Sequence, residues 1–274
     1  MKKKLVPALL FICLLSGLTL LAYPAISNAL RDRQQDQVWG QYDLAVAALS
    51  EAERQAVLSD ARTYNSTLAD SAVLTDPFDP DVLRTLETPY RDLLNPKGNS
   101  IMGILSIPSI SVSEAIYHGT SDSVLSTGVG HLENTSLPVG GRDTHAVISG
   151  HAGLPGARIF TDLDSLEIGD VFYLDIIGEH LIYQVRQKKV VDPQDLGDLR
   201  IQPGEDLVTL VTCTPPGINS QRLLVQGSRL SESQRMPEAQ KESFTLTFWQ
   251  LYSMVLILGT IVSIGCGILL FRRK

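Results

Sequence analysis

Short apolar runs recur at regular spacing between residues 99 and 230, each bounded by Gly, Pro, Asn or Asp. They fall at 101–107, 112–117, 144–150, 171–177, 181–186, 188–192, 207–213 and 222–228. Runs of this length, rich in Val, Ile, Leu and Thr and closed by turn formers, predict β-strands. Gly178-Glu179 reads as a hairpin turn, and 122–127 and 158–166 carry short helical patterns. Around eight strands in about 130 residues predict a mainly β domain, either a closed barrel or a sandwich, large enough to bury its own core.

The flanks have other textures. Residues 5–22 are apolar within an uncharged run to Leu30, after Lys2, Lys3 and Lys4. Phe244 to Phe271 carries no charge, has Trp249 and Tyr252 near its start, and runs into Arg272, Arg273 and Lys274. Both are long enough to cross a bilayer, and both basic flanks belong on the cytoplasmic side. For the first, a cleaved signal peptide ending near Ser27-Asn28-Ala29 is the alternative. Residues 32–70 are polar and Ala-rich and predict two helices, the second starting near Ser50 with Glu53 as capping-box partner. At 75–80, Thr-Asp-Pro-Phe-Asp-Pro forbids a regular element and leaves a loop. The chain thus divides into an anchor or signal segment (1–30), a helical spacer (31–74), a loop and linker (75–98), the β domain (99–230), a linker (231–243) and a transmembrane helix with a basic tail (244–274).

Charge and cysteine usage sharpen this picture. All thirty acidic residues lie within 31–243 with seventeen of the twenty-three Lys and Arg, so that segment carries a formal charge of −13 against −7 for the whole chain. No basic patch supports nucleic-acid binding; a cationic partner or a cell-wall surface fits better. Cys13 and Cys266 lie in the apolar flanks, and Cys213 stands alone outside them. A lone exported thiol is paired between chains, is kept free for chemistry, or is an inert core residue.

The candidate chemistry centres on 207–228. Cys213 ends one strand, Pro215-Pro216-Gly217 breaks the run, and Arg222 opens the next strand nine residues later. Such a hairpin puts a thiol and a guanidinium at one mouth of a sheet. His151 follows the strand at 144–149 between Gly150 and Gly153, on a loop from which an imidazole can act as acid and base; an exposed loop histidine is the alternative. His145 shares parity with His151, His131 could fix a loop by hydrogen bonding, and His118 and His180 read as turn residues. Five scattered histidines with one outer cysteine give no zinc spacing, Gly128-Val129-Gly130 lacks what a phosphate loop needs, and neither a metal nor an organic cofactor is expected.

Taken together these stretches resemble the sortase family. Thr-Leu-Val-Thr-Cys-Thr-Pro at 209–215, with Arg222 beyond it, is similar to the sortase active-site signature. Residues 148–155 resemble the histidine region, and 130–138 the segment before it. Asp76-Pro77-Phe78 resembles the lid of class C, pilus-assembling sortases, which the two membrane segments also suit. The resemblance implies a closed eight-stranded β-barrel with N-terminal helices and a lid loop, flanked by two transmembrane helices. It implies a cysteine transpeptidase that cleaves a Leu-Pro-x-Thr-Gly-like signal and joins pilin subunits through a thioester and a lysine amine. In that reading Cys213 is the nucleophile, His151 the acid and base, and Arg222 the substrate and oxyanion stabiliser, with Asp76 near Arg222 and Phe78 over Cys213. The partners would be pilins, the membrane and a cell-wall precursor. The enzyme would be membrane-bound, its catalytic domain extracellular and both termini cytoplasmic. The alternatives are a sortase that anchors proteins to the wall and a non-catalytic, membrane-tethered β-barrel binding module.

Overall fold

The structure, a computed structural model, describes residues 37–68, 74–79, 89–153 and 159–230, with isolated positions before 37. Two compact units are distinguished, Met1–Gln234 and Arg235–Lys274, and the second lies wholly outside the described residues. So does the apolar run at 244–271, and so does 5–22 except positions 16, 17 and 19. Among the described residues no helix is long and apolar enough to cross a membrane.

Turn chemistry sets the register of the sheet. Ile177 and Gly178 take φ values of 48° and 83°, the backbone of a two-residue type I′ turn, which joins β5 (Val171–Ile176) to β6 (Glu179–Val191). The turn is therefore one residue earlier than the sequence pattern predicts. Along β5 burial alternates residue by residue, as expected of a strand with one face inward. The two predicted strands at 181–186 and 188–192 are one: β6 runs through both, with a bulge between Val185 and Gln187 in its pairing with β8 (Gln221–Arg229). The extra residue breaks the period of two, which is why the run reads as two strands.

The remaining strands are β1 (Ile101–Ile107), β2 (Val112–His118), β3 (Val129–His131), β4 (Thr144–Ser149), β7 (Asp206–Thr214) and β8 (Gln221–Arg229). They close into a barrel in the order β1-β2-β3-β4-β7-β8-β6-β5. Most neighbours are antiparallel, but β2–β3 and β4–β7 are parallel. The predicted short helices appear as α3 (Asp122–Leu125) and a 3-10 turn at Leu163–Ser165.

Two helices precede the barrel: α1, described over 37–47, and α2 (Glu51–Thr67). Ser50 caps α2 and Glu53 returns the bond, the predicted capping box. These helices do more than span a distance. Tyr42, Val46, Leu58 and Ala61 belong to the main apolar core. The Tyr42 hydroxyl donates to the Met102 carbonyl (2.9 Å) and accepts from the Ile177 amide (2.8 Å). Buried Asn65 exchanges two hydrogen bonds with the Leu137 backbone, fixing the β3–β4 connection. A second, smaller apolar cluster lies on the opposite face of β4, β7 and β8 and includes Val147, Val211 and Leu224, with Leu74 and Phe78 packed against it. Alternation along β4 and β7 gives each cluster its own residues: Ile148 and Leu210 go to the first, Val147 and Val211 to the second.

Candidate active site

Three segments distant in sequence meet at one end of the barrel. In the β7–β8 hairpin Cys213 is directly opposite Arg222, as the turn at 215–217 predicts. Alternation puts Cys213 on the same face as Val211, and it is buried, 6% exposed. The hairpin loop folds back on Pro215, whose carbonyl accepts from the amides of Ile218 and Asn219 (3.1 and 2.9 Å). Its carbonyls then grip the guanidinium: Arg222 Nη1 donates to Asn219 and Gln221, each at 3.0 Å.

His151 arrives through the parallel pair. Ser149 of β4 lies beside Val211 of β7, the Gly150 amide donates to the Val211 carbonyl (3.0 Å), and the buried Thr212 hydroxyl donates to the Gly150 carbonyl (2.7 Å). These bonds hold the backbone before His151 level with the backbone before Cys213. Gly150 is required for space: a Cβ there would meet Phe160 at 2.8 Å and Ile159 at 2.9 Å. The His151 carbonyl accepts from the Phe160 amide (3.0 Å), which fixes the loop that presents the ring.

The loop at 74–79 closes over this group. Asp76 meets Arg222 with both oxygens, accepting from Nε at 2.9 Å and Nη2 at 2.6 Å, with side chains 11% and 9% exposed respectively. Phe78 lies 5.6 Å from the His151 ring, centroid to centroid, and the Arg222 guanidinium carbon lies 5.3 Å from the Phe78 centroid. The expected Asp76–Arg222 pairing is present. The ring contacts of Phe78 are with His151 and Arg222, the residues on either side of Cys213.

Burial decides the protonation state of the closed site. It pushes the Cys213 thiol up; the positive Arg222 opposes the shift and the negative Asp76 reinforces it. Burial pushes His151 down, opposed by the charge of Asp122. Both shifts favour the neutral thiol and the neutral imidazole. Arg222 does favour the thiolate, but burial outweighs it, and the charge of Asp76 works against it.

The other histidines are structural. His131 is buried and bridges the Tyr90 hydroxyl (3.0 Å) and the Ser136 carbonyl (2.8 Å), which fixes the loop after β3 as expected. His145 joins the Arg200 carbonyl (2.8 Å) to the Thr209 hydroxyl (2.7 Å). Two readings need correction. His118 is the buried last residue of β2, and His180 lies within β6 beside Asp175. Sequence reasoning also passes over Thr212, because a hydroxyl one residue before the cysteine shows its partner only once β4 and β7 are paired. Among the described residues no group of His, Cys, Asp or Glu is clustered to hold a metal ion.

Comparison with known proteins agrees with this geometry. The sortase domain family model matches residues 105–230. Sortase D of Bacillus subtilis is 29% identical over 139 residues, 50% of this chain and 67% of the relative. Sortase A of Streptococcus agalactiae serotype III is 29% identical over 119 residues, 42% of this chain and 48% of the relative. The chain thus spans about half to two thirds of the length of these curated relatives. Among solved structures, sortase C-1 of Streptococcus pneumoniae superposes with a TM-score of 0.67 at 43% identity, over 71% of this chain and 98% of the other. Pilus Island 1 sortase C2 of Group B Streptococcus gives 0.62 at 45% identity, over 67% and 100%.

Proposed function

We propose that this chain, which belongs to the sortase family of cysteine transpeptidases, is a pilus-assembling, class C member that joins pilin subunits. The observation that carries the class is the loop at 74–79. It places a carboxylate on Arg222 and a ring against His151, covering the transpeptidase centre. The similarity to sortases C described as pilus-related supports the same reading.

The chemistry follows from the residues. Once the loop lifts, the Cys213 thiolate attacks the carbonyl carbon of the Thr–Gly bond in a Leu-Pro-x-Thr-Gly-like signal. Arg222, released from Asp76, faces the oxyanion that develops. His151 gives its proton to the leaving glycine amine, the C–N bond breaks, and the acyl group remains on sulfur as a thioester. A lysine amine of the next pilin then attacks, His151 takes its proton, and an amide bond forms as the thiolate leaves. With unperturbed values near 8.5 and 6.5, thiolate and imidazolium coexist in about 1% of molecules at neutral pH. The closed site lowers that fraction, so the loop acts as a brake on chemistry as well as on access. We place the enzyme in the cell membrane through the segments at 5–22 and 244–271, with the barrel outside and both termini cytoplasmic. A cell-wall precursor is an additional acceptor in this scheme.

The test is to incubate the full chain in membrane vesicles with pilins that carry a sorting signal, and to read covalent ladders on a denaturing gel. Wild type should build ladders, and Cys213→Ala should build none while keeping its fold. Undiminished ladders from Cys213→Ala would remove the enzyme reading.

A further inference from the structure

Among the described residues, the buried polar side chains along the outer face of β4, β7 and β8 are hydrogen-bonded with one exception. His145 and Thr209 bond each other, with the histidine tautomer assigned from its two partners. Gln226 accepts from Arg186 Nε (2.8 Å) and donates to the Asp198 carbonyl (3.4 Å). Arg222 is held by Asp76, Asn219 and Gln221. The exception is Ser149, which is fully buried and whose Oγ has no hydrogen-bond partner. Native proteins rarely leave a buried hydroxyl unpaired, and the exceptions call for a reason.

Its position supplies one. Ser149 is the last residue of β4, opposite Val211 in the parallel pair, and Cys213 is the next residue of β7 on that face. One residue beyond Ser149, Gly150 leads into His151. The hydroxyl therefore belongs to the floor between nucleophile and base. The neighbours on this face, Val147 and Val211, belong to the apolar cluster against which Leu74 and Phe78 of the loop pack. When the loop lifts, an apolar floor with one unsatisfied hydroxyl is uncovered.

Building on the transpeptidase reading, we propose that Ser149 is a specificity-determining residue for the donor peptide, its hydroxyl donating a hydrogen bond to a peptide carbonyl of the segment laid across this face. The closed enzyme carries that hydroxyl unpaired, and bound substrate satisfies it. Stability and activity should therefore respond in opposite senses. Removing an unpaired buried hydroxyl is neutral or stabilising, whereas removing one hydrogen bond to substrate weakens binding about three- to tenfold.

The experiment compares wild type, Ser149→Ala and Ser149→Thr as full chains in detergent. It measures thermal unfolding and the kinetics of cleavage of a sorting-signal peptide. Ser149→Ala should unfold at the wild-type temperature or above it, with KM raised and kcat/KM lowered about three- to tenfold. Ser149→Thr, which restores the hydroxyl, should recover most of the loss. Unchanged kcat/KM in Ser149→Ala would overturn the inference. So would a drop in unfolding temperature, because the hydroxyl would then have a partner in the free protein. Cys213→Ala keeps the two levels apart: a wild type no more active than Cys213→Ala removes the transpeptidase reading and this inference with it, whereas failure in Ser149→Ala alone leaves that reading intact.

Discussion

Cutting the contacts between the loop and Arg222 should unmask Cys213 and also make it more acidic. The two N–H···O contacts measure 2.9 and 2.6 Å between side chains that are 9% and 11% exposed. An exposed ion pair contributes at most about 1 kcal/mol, and this pair is better shielded. Each charge-assisted hydrogen bond is worth about 1.5–3 kcal/mol, but desolvation of both charges offsets much of that, leaving about 2 kcal/mol for the pair. The guanidinium on the Phe78 ring adds about 0.5–1 kcal/mol. Losing the ion pair alone should raise the ratio of open to closed molecules about thirtyfold. Asp76→Ala also deletes a charge that pushes the Cys213 thiol up, and opening relieves the burial that pushes it up most. The assay is alkylation of Cys213 by iodoacetamide across pH 6–9, followed by the mass of the peptide that contains it, in wild type, Asp76→Ala, Phe78→Ala and the double variant. The variants should react faster, and the midpoint of the pH profile should move to lower pH. Because buried Pro77 stiffens the tripeptide, the contacts form and break together, and each single variant should approach the double. Equal rates in all four proteins would refute the argument and reduce the loop to a linker. A midpoint that stays fixed while rates rise would show that access changes and the electrostatic coupling does not.

Two further outcomes follow from the same geometry. Arg222→Lys keeps the charge but loses the planar fork that faces the substrate and the developing oxyanion once Asp76 has left it, so kcat/KM should fall about thirtyfold, or about 2 kcal/mol, and a value within twofold of wild type would show that charge alone suffices. Burial lowers the pKa of His131 and of His145 to about 4, below the unfolded value near 6.5, so the unfolded chain binds more protons between those limits. The stability tied to the neutral rings is therefore complete above about pH 6.5 and lost as the pH falls through about 4, at up to about 3 kcal/mol for each ring. Urea midpoints that stay flat from pH 6.5 to 4 in wild type would contradict the burial argument, and His145→Gln should flatten that slope in part.

What was legible in the sequence follows from how local each feature is. The β7–β8 hairpin could be read because a Pro-Pro-Gly break separates two β-rich runs, and the Cys213–Arg222 register came with it. The Ser50–Glu53 capping box could be read for the same reason. The adjacency of His151 and Cys213 could be expected only from resemblance, because it depends on a parallel pair whose linking bond, Thr212 to Gly150, spans 62 residues. β3 is three residues long, too short to show a period, and the β6 bulge hid the unity of a thirteen-residue strand. The unpaired hydroxyl of Ser149 is a property of the packed sheet, and a serine at a strand end carries no sign of it.

Closure of the barrel limits how a peptide can be recognised. Many proteins hold an extended ligand by adding it as an extra strand to an open sheet edge, where main-chain bonds give affinity whatever the ligand's sequence. Here the order β1 through β5 returns on itself. Where the ladder thins, beside the short β3, the backbone of β4 is already engaged: Leu132 donates to the Val147 carbonyl, Ser136 donates to the His145 carbonyl, and the amides of His145 and Val147 donate to the side chains of Ser136 and Thr135. A substrate crossing this domain finds no main-chain ladder to join. Its own amides and carbonyls must be met by side chains, loops or water, and its affinity must come from the residues it presents. A scaffold without a free edge thus favours reading a short motif over gripping any extended chain.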